Sequence, residues 1–248
     1  MWKNIWNSKG KTQNLGNFSI ADLMKFDGFD TGNALSFDEQ AWFKYALDIA
    51  QTCAIANGEK RILEIGCGSG GFLKALNNIN NALKINGIDY SKSLLKIAQS
   101  VMPDGVFVYD EAKNLNTAPQ FGGGGRGRFD LIFSNSVFHY FPSQAYVFDV
   151  IQKAYQLLNI GGGLAFLDLN DVAQKEIYGK LRRGHLSEEE YQQKYAGLEH
   201  LFFNRSEVFD FVHRLGFEKI IVEDQHIEGY VNNPCRFNIF ALGKKSEK

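Results

Sequence analysis

From residue 61 to residue 169, short apolar runs alternate with helical segments, and this alternation constrains the chain more than any single motif. RILEI (61–65), LKINGID (83–89), GVFVY (105–109), FDLIFSN (129–135) and GLAFLDL (163–169) read as strands. Between them, GFLKALNNI, SKSLLKIAQSV opening on Ser91, and SQAYVFDVIQKAYQLL entered through Pro142–Ser143 read as helices. Crossovers of this length are not hairpins, so the strands run parallel with helices on both faces. Upstream, FDEQAWFKYALDIAQTCAIA (37–56) has helical spacing with Ser36 as its N-cap. After a polar, tyrosine-rich stretch without strand signals at 170–203, the helix SEVFDFVHRLG leads into EKIIVED and FNIFALG. No crossover helix separates that last pair, which predicts an antiparallel hairpin.

The expected fold is therefore α/β, a doubly wound Rossmann-like sheet. With no internal repeat and no evident linker, residues 1–248 read as one domain. Residues 1–57 are expected to form an N-terminal helical lid and 58–169 a ligand-binding core. Residues 170–203 are an insertion after strand five, and 204–248 carry the last helix and hairpin. A formal charge of −1 gives no general attraction to nucleic acid or anionic lipid, so neither is expected as a partner. No run approaches the ~18 uninterrupted apolar residues of a membrane span, and MWKNIWNSKG lacks the apolar core of a secretory signal. Cys53, Cys67 and Cys235 make no C-x-x-C, which argues against a disulfide framework and a zinc cluster. A reducing cytoplasm is the expected compartment. The run FGGGGRGR (121–128) precedes a strand, whereas phosphate cradles join a strand to the following helix, so it reads as a flexible surface loop.

The chemistry centres on ILEIGCGSGGF (62–72), where Gly66, Gly68 and Gly71 fit the dinucleotide fingerprint G-x-G-x-x-G. Glu64 opposes that reading. Its carboxylate ends the first strand, facing the space where a pyrophosphate would dock on the next helix. At roughly 5–6 Å and an effective dielectric of about 20, the like charges cost on the order of 3 kcal/mol. The same carboxylate suits a cofactor without phosphates that carries an ammonium and a sulfonium, namely S-adenosylmethionine. Asp89, in GIDYS, is placed to accept both ribose hydroxyls. Asp110 or Glu111 is placed to meet the adenine amino group. Asn135 and Ser136 follow the fourth strand, where ligands of such sheets bind.

Taken in order, ILEIGCGSGGF, GIDYS, YDEAKNL, FDLIFSNSVFHYF and LLNIGGGLAFLDL resemble the motif series of the class I S-adenosylmethionine-dependent methyltransferases. The resemblance implies a seven-stranded sheet whose last strand is antiparallel. By position it puts Glu64, Gly66, Cys67, Gly68 and Gly70 at the methionine end of the cofactor. It puts Asp89 on the ribose, with Tyr90 beside the adenine and Ser91 in the same turn, and Asn135 toward the methionine portion. The family's acidic residue followed by alanine fits Glu111–Ala112 better than Asp110. S-adenosyl-L-homocysteine is the implied product, and no metal is implied.

Four residues beyond Asn135, His139 is the first candidate general base because imidazole titrates near neutrality. Its alternative role is to pack over the cofactor or cap the turn before Pro142. Substrate-binding candidates come from the insertion (Tyr178, Arg182, His200) and from the loop before the last strand (His226, Tyr230, Asn232, Arg236). SNSVF lacks the paired prolines and aromatic that present a flipped base, which argues against nucleic-acid methylation. The expected acceptor is a small polar molecule bearing a hydroxyl. The short WKNIW start and the large insertion are similar to bacterial methyltransferases of surface polysaccharide, which points to a glycan precursor or its phosphoramidate substituent. The alternatives are a small-molecule N-methyltransferase, a nicotinamide-dependent oxidoreductase and an inactive cofactor-binding scaffold.

Overall fold

The computed structural model describes residues 4–6, 17–29, 38–121 and 129–246. The glycine run at 122–128 and Ser36 lie outside the described residues. Helix α1 (Ile20–Phe26) opens on a reciprocal capping box between Ser19 and Asp22. Helix α2 (Glu39–Thr52) is capped by Asp38 rather than Ser36, with the Asp38 carboxylate accepting the Ala41 N–H at 2.9 Å. A carboxylate there also complements the positive end of the helix.

The sheet contains β1 (Arg61–Ile65), β2 (Lys84–Asp89), β3 (Val106–Tyr109), β4 (Phe129–Asn135), β5 (Leu158–Asn170), β6 (Phe217–Asp224) and β7 (Arg236–Lys244). Their order is β3-β2-β1-β4-β5-β7-β6. The first five strands pair in parallel, and β7 runs antiparallel to both β5 and β6. Helices α3 (Gly71–Ile79), α4 (Lys92–Val101), α5 (Gln144–Gln156) and α8 (Arg205–Arg214) connect them. The strand order reverses between β1 and β4, so the crevice at their carboxyl ends is where a ligand is received.

Alternation along each strand divides the core. Ile62, Ile85, Leu131 and Phe133 face a cluster shared with α1, α2 and α3. Leu63, Ile65, Ile88 and Ile132 face the opposite cluster, shared with α5 and α8. The parity of the first set continues to Glu64, Asp89 and Asn135, because successive residues alternate faces. Three polar strand ends thus arrive on one side of the sheet, under the N-terminal helices.

One local feature differs from the sequence reading. Strand β5 begins at Leu158, not residue 163, and a register shift between Phe129 and Leu131 accommodates its first residues. Gly161, at φ +78°, lets the chain bulge there, and a glycine run that reads as a break is part of the strand. The 170–203 insertion is largely helical, with α6 (Lys175–Arg183) and α7 (Glu188–Tyr195). It is closed at its base by a parallel bridge between Asp171 and Phe203.

Candidate active site

A cavity of about 700 Å³ opens at the carboxyl ends of β1, β2 and β4. Glu64 forms part of its wall, is almost fully buried, and its Oε2 has no hydrogen-bond partner. Burial, and then the neighbouring Asp27 and Asp89, hold its carboxyl well above the usual carboxylate range. The turn that follows is left-handed at Gly66 and Gly68 (φ +76° and +53°). A Cβ at Gly66 would lie 2.5 Å from Val137 Cγ1, and one at Gly68 would lie 2.3 Å from Asp27 Oδ1, so neither position admits a side chain.

Asp89 is anchored by two backbone donors. Its Oδ2 accepts the Gly68 N–H at 3.0 Å and its Oδ1 accepts the Ser91 N–H at 2.7 Å. Burial outweighs both bonds and raises its carboxyl to about 6. Asp27, just past α1, enters the same cavity from the N-terminal region. Its Oδ1 accepts the Ser69 N–H at 2.6 Å and its Oδ2 accepts the Gly71 N–H at 3.1 Å. Burial again dominates, pushing Asp27 up to about 7. At the far end, Asp110, Glu111 and Ala112 line the wall with Tyr90, Phe141 and Tyr146. Asp110 Oδ1 accepts the Glu111 N–H at 2.7 Å and Asn114 Nδ2 at 2.6 Å, so it caps a local turn.

Asn135, Ser136, Tyr140, Glu199 and His200 also line the cavity. Tyr45 donates to Asn135 Oδ1 at 3.5 Å. Ser136 and Asp168 both hold φ near +60°, an uncommon conformation for residues other than glycine. The Ser136 hydroxyl donates to Asp168 Oδ2 at 2.6 Å. Tyr178 OH pairs with His200 Nδ1. Burial first, then Arg182 and Arg236, push His200 down to about 3, so it is neutral at physiological pH.

Residues 63–164, from β1 into β5, match the family described as "Methyltransferase domain". These residues form a methyltransferase domain. A malonyl-[acyl-carrier protein] O-methyltransferase of Ilyobacter polytropus is 30% identical over 145 residues, 56% of this chain and 49% of that protein. A trans-aconitate 2-methyltransferase of Escherichia coli is 33% identical over 122 residues, 47% of this chain and 44% of that protein. The chain thus spans about half the length of these relatives. Among solved structures, the plantazolicin methyltransferase BpumL, in complex with a pentazolic desmethylPZN analog and SAH, aligns with a TM-score of 0.62. Its identity is 16%, covering 91% of this chain and 90% of that one. The N-methyltransferase NodS of Bradyrhizobium japonicum aligns with a TM-score of 0.57 at 15% identity, covering 84% of this chain and 99% of that one. At such identities the likeness is one of fold.

Within this methyltransferase domain, Glu64, Gly66, Cys67, Gly68, Asp89, Tyr90, Asp110, Glu111, Ala112 and Asn135 all reach the cavity. Gly70 and Ser91 do not line it. Gly70 is the left-handed N-cap of α3, and Ser91 is buried as the N-cap of α4, its hydroxyl donating to the Trp6 carbonyl at 3.0 Å. His139 does not line it either. It is buried behind the wall with Nδ1 3.1 Å from Arg236 Nη1. Burial, followed by Arg236, His200 and Arg182, holds its imidazole well below the ordinary range, which is a packing environment rather than one for a proton acceptor.

Of the expected substrate residues, only His200 lines the cavity. Tyr178, Arg182, Tyr230 and Arg236 do not line it and bond to neighbouring side chains and backbone, Arg236 Nε being left without a partner. Arg182 donates to the Leu198 carbonyl at 2.7 Å and lies 4.2 Å above the Tyr195 ring. Tyr230 OH donates to Asp168 Oδ2 at 3.0 Å, and Arg236 Nη1 to the Asp168 carbonyl at 3.1 Å. His226 and Asn232 lie outside the cavity lining, in the loop between β6 and β7. The sequence reading missed Trp6, Asp27, Phe29 and Glu199, which line the wall, and Asp168 behind Ser136. A weak signal existed for Asp27, since the Asp27–Gly28 pair marks a chain reversal after a capped helix.

Proposed function

We propose that this chain transfers a methyl group from S-adenosylmethionine to a small polar acceptor. The observation that carries the reading is Glu64 Oε2, a buried carboxylate oxygen without a partner in the wall of a ligand-sized cavity. Such an atom calls for a cationic donor, and the cofactor's ammonium is one. Among the described residues no Lys or Arg lines the cavity, so a phosphate-bearing cofactor would find no cation there. Glu64 and the glycine turn would hold the methionine end, with Asn135 beside it. Asp89 would hold the ribose. Asp110 or Glu111, with Ala112, would meet the adenine; Asp110 caps its own turn and Glu111 Oε2 lies 3.4 Å from Lys113 Nζ.

When bound, S-adenosylmethionine supplies a methyl group activated on a sulfonium, leaving S-adenosyl-L-homocysteine. The chain's task is to orient the acceptor and exclude water, which supplies about 7–11 kcal/mol in well-oriented reactions. Ser136, Tyr140 and His200, which line the same cavity as Glu64, offer hydrogen bonds to the acceptor. His200 is too strongly depressed to be an efficient base, so orientation carries the rate in this reading.

The acceptor class we favour is a hydroxyl-bearing glycan precursor or its phosphoramidate substituent. It is supported by the polar wall and by the sequence features described above. Among the described residues no helix is long and apolar enough to cross a membrane. We place the activity in the cytoplasm, where the free thiols of Cys53, Cys67 and Cys235 persist.

Calorimetric titration with S-adenosylhomocysteine and with NAD, on the wild type and on Asp89→Ala, tests the proposal. Homocysteine-form binding that Asp89→Ala loses supports it. Binding of NAD alone overturns it.

A further inference from the structure

The N-terminus of α3 is where a doubly wound fold ordinarily receives a cofactor phosphate, because free N–H groups and the helix dipole converge there. In this chain that place is occupied by protein. Asp27 uses one oxygen on the Ser69 N–H and the other on the Gly71 N–H. Ser69 fastens the contact from the other side, its hydroxyl donating to the Leu23 carbonyl at 3.1 Å. The glycines are fitted to this carboxylate: a Cβ at Gly68 would meet Asp27 Oδ1 at 2.3 Å, and one at Gly71 would meet Oδ2 at 2.9 Å. Asp27 also lines the cavity, together with Glu64 and Asp89.

We propose that Asp27 determines cofactor specificity. It fills the phosphate-binding end of α3 and adds its charge to those of Glu64 and Asp89 as a receptor for a cationic, phosphate-free cofactor. This deepens the methyl-transfer reading and rests on it. A pyrophosphate would find the Ser69 N–H of the turn and the first N–H of α3 already used, and would face the carboxyl groups of Asp27, Glu64 and Asp89. An ammonium or sulfonium compensates those same groups.

The groups acting on Asp27 come from each element around it. They are Ser69 and Gly71 from the turn and α3, Asp89 from the end of β2, and Glu64 from β1. Cys67 lies in the same turn, and the Leu23 carbonyl comes from α1. Burial first, and then the charge of Asp89, raise the Asp27 carboxyl, so its ionisation is expected to be completed by the arriving cation.

The test is calorimetry on the full chain with S-adenosylhomocysteine and inorganic pyrophosphate as separate probes. The wild type is expected to bind the first and not the second, with affinity for the first rising as pH is raised from 6 to 8. Asp27→Ala is expected to lose at least tenfold in S-adenosylhomocysteine affinity and to gain measurable pyrophosphate binding. A residue that merely braces the N-terminal segment would produce the loss without the gain, so Asp27→Ala without pyrophosphate binding overturns the proposal. If Asp27→Ala does not fold, Asp27→Asn keeps the shape and removes the charge. Its S-adenosylhomocysteine affinity is expected to be lower and to depend less on pH, and a pH profile identical to the wild type overturns the proposal. A wild type that binds no S-adenosylhomocysteine refutes the methyl-transfer reading itself, and that result is distinct from both.

Discussion

Replacing Asp27 with asparagine, which leaves one of the two backbone donors Ser69 and Gly71 without its acceptor, is expected to shift the stability difference in the variant's favour as pH rises, and the magnitude of that shift follows from the raised carboxyl. Its folded-state value is about 7, raised from 3.8 chiefly by burial. For a raised carboxyl, the contribution to stability is fully present below the unfolded value and is lost as pH rises through the folded one. Each pH unit between the two costs about 1.4 kcal/mol. From pH 5 to its plateau above pH 7, the wild type therefore loses about 3 kcal/mol relative to a side chain that cannot titrate. His139 and His200, whose values are depressed, change stability in the opposite direction over part of this window. Both proteins keep them, so their contribution cancels in the difference. Removing the Asp27 charge also relieves Glu64 and Asp89, which adds to the effect in the same sense. Urea unfolding of both proteins without ligand at pH 5, 6, 7 and 8 measures it, provided the slope m is the same in each. A stability difference independent of pH, or a wild type that gains on the variant as pH rises, would refute the reasoning.

Gly66→Ala is expected to cost at least tenfold in S-adenosylhomocysteine affinity by calorimetry. Its φ of +76° disfavours alanine, and the new methyl falls 2.5 Å from Val137 Cγ1. Adding Val137→Ala should relieve the contact and only part of the loss. Asp168→Asn leaves the buried Arg236 guanidinium, 3.8 Å away, without its counter-charge, and is expected to cost about 3–5 kcal/mol by urea unfolding. Trp42→Ala removes a side chain buried between α2 and α3, where it packs on Phe72 and Tyr45, and is expected to cost about 3–5 kcal/mol with m unchanged.

The parts of the site legible in the sequence are those whose position follows from local pattern. Glu64, Asp89 and Asn135 each lie at the carboxyl end of a strand, so the sheet edge they share could be read from the strand boundaries alone. Asp27 could not be read this way, because its partners Ser69 and Gly71 meet it only once α1 has packed on α3. The substrate candidates Tyr178, Tyr230 and Arg236 do not line the cavity, for the opposite reason. Polar residues in strand-poor segments read as surface, whereas here they sit inside the molecule and hydrogen-bond around Asp168 and His200, with Arg236 Nε left over. His139 belongs with them. Its distance along the chain from Asn135 suggested a base, but the short turn Phe138–Tyr140 carries Tyr140 to the cavity and leaves His139 behind it.

Three carboxyl groups gathered at one cavity, Glu64 buried and Asp27 and Asp89 half-buried, cost the unliganded protein stability, and that cost becomes selectivity once a cation is bound. The donor and its product differ in this respect, since the sulfonium of S-adenosylmethionine is charged and the thioether of S-adenosylhomocysteine is not. One ionised carboxylate acting on one cation over about 8 Å, at an effective dielectric near 20, is worth about 2 kcal/mol, or roughly thirtyfold in affinity. At pH 6, Asp27 and Asp89 are largely or partly protonated and the advantage of the charged donor is reduced. At pH 8 it is fully expressed. The ratio of S-adenosylmethionine to S-adenosylhomocysteine affinity is therefore expected to grow with pH, so that the reaction itself weakens the hold on the spent cofactor. Titrating both ligands at the two pH values on the wild type and on Asp27→Asn decides the matter. A ratio that stays near one throughout would mean that the carboxylates hold the fold and not the cofactor's charge.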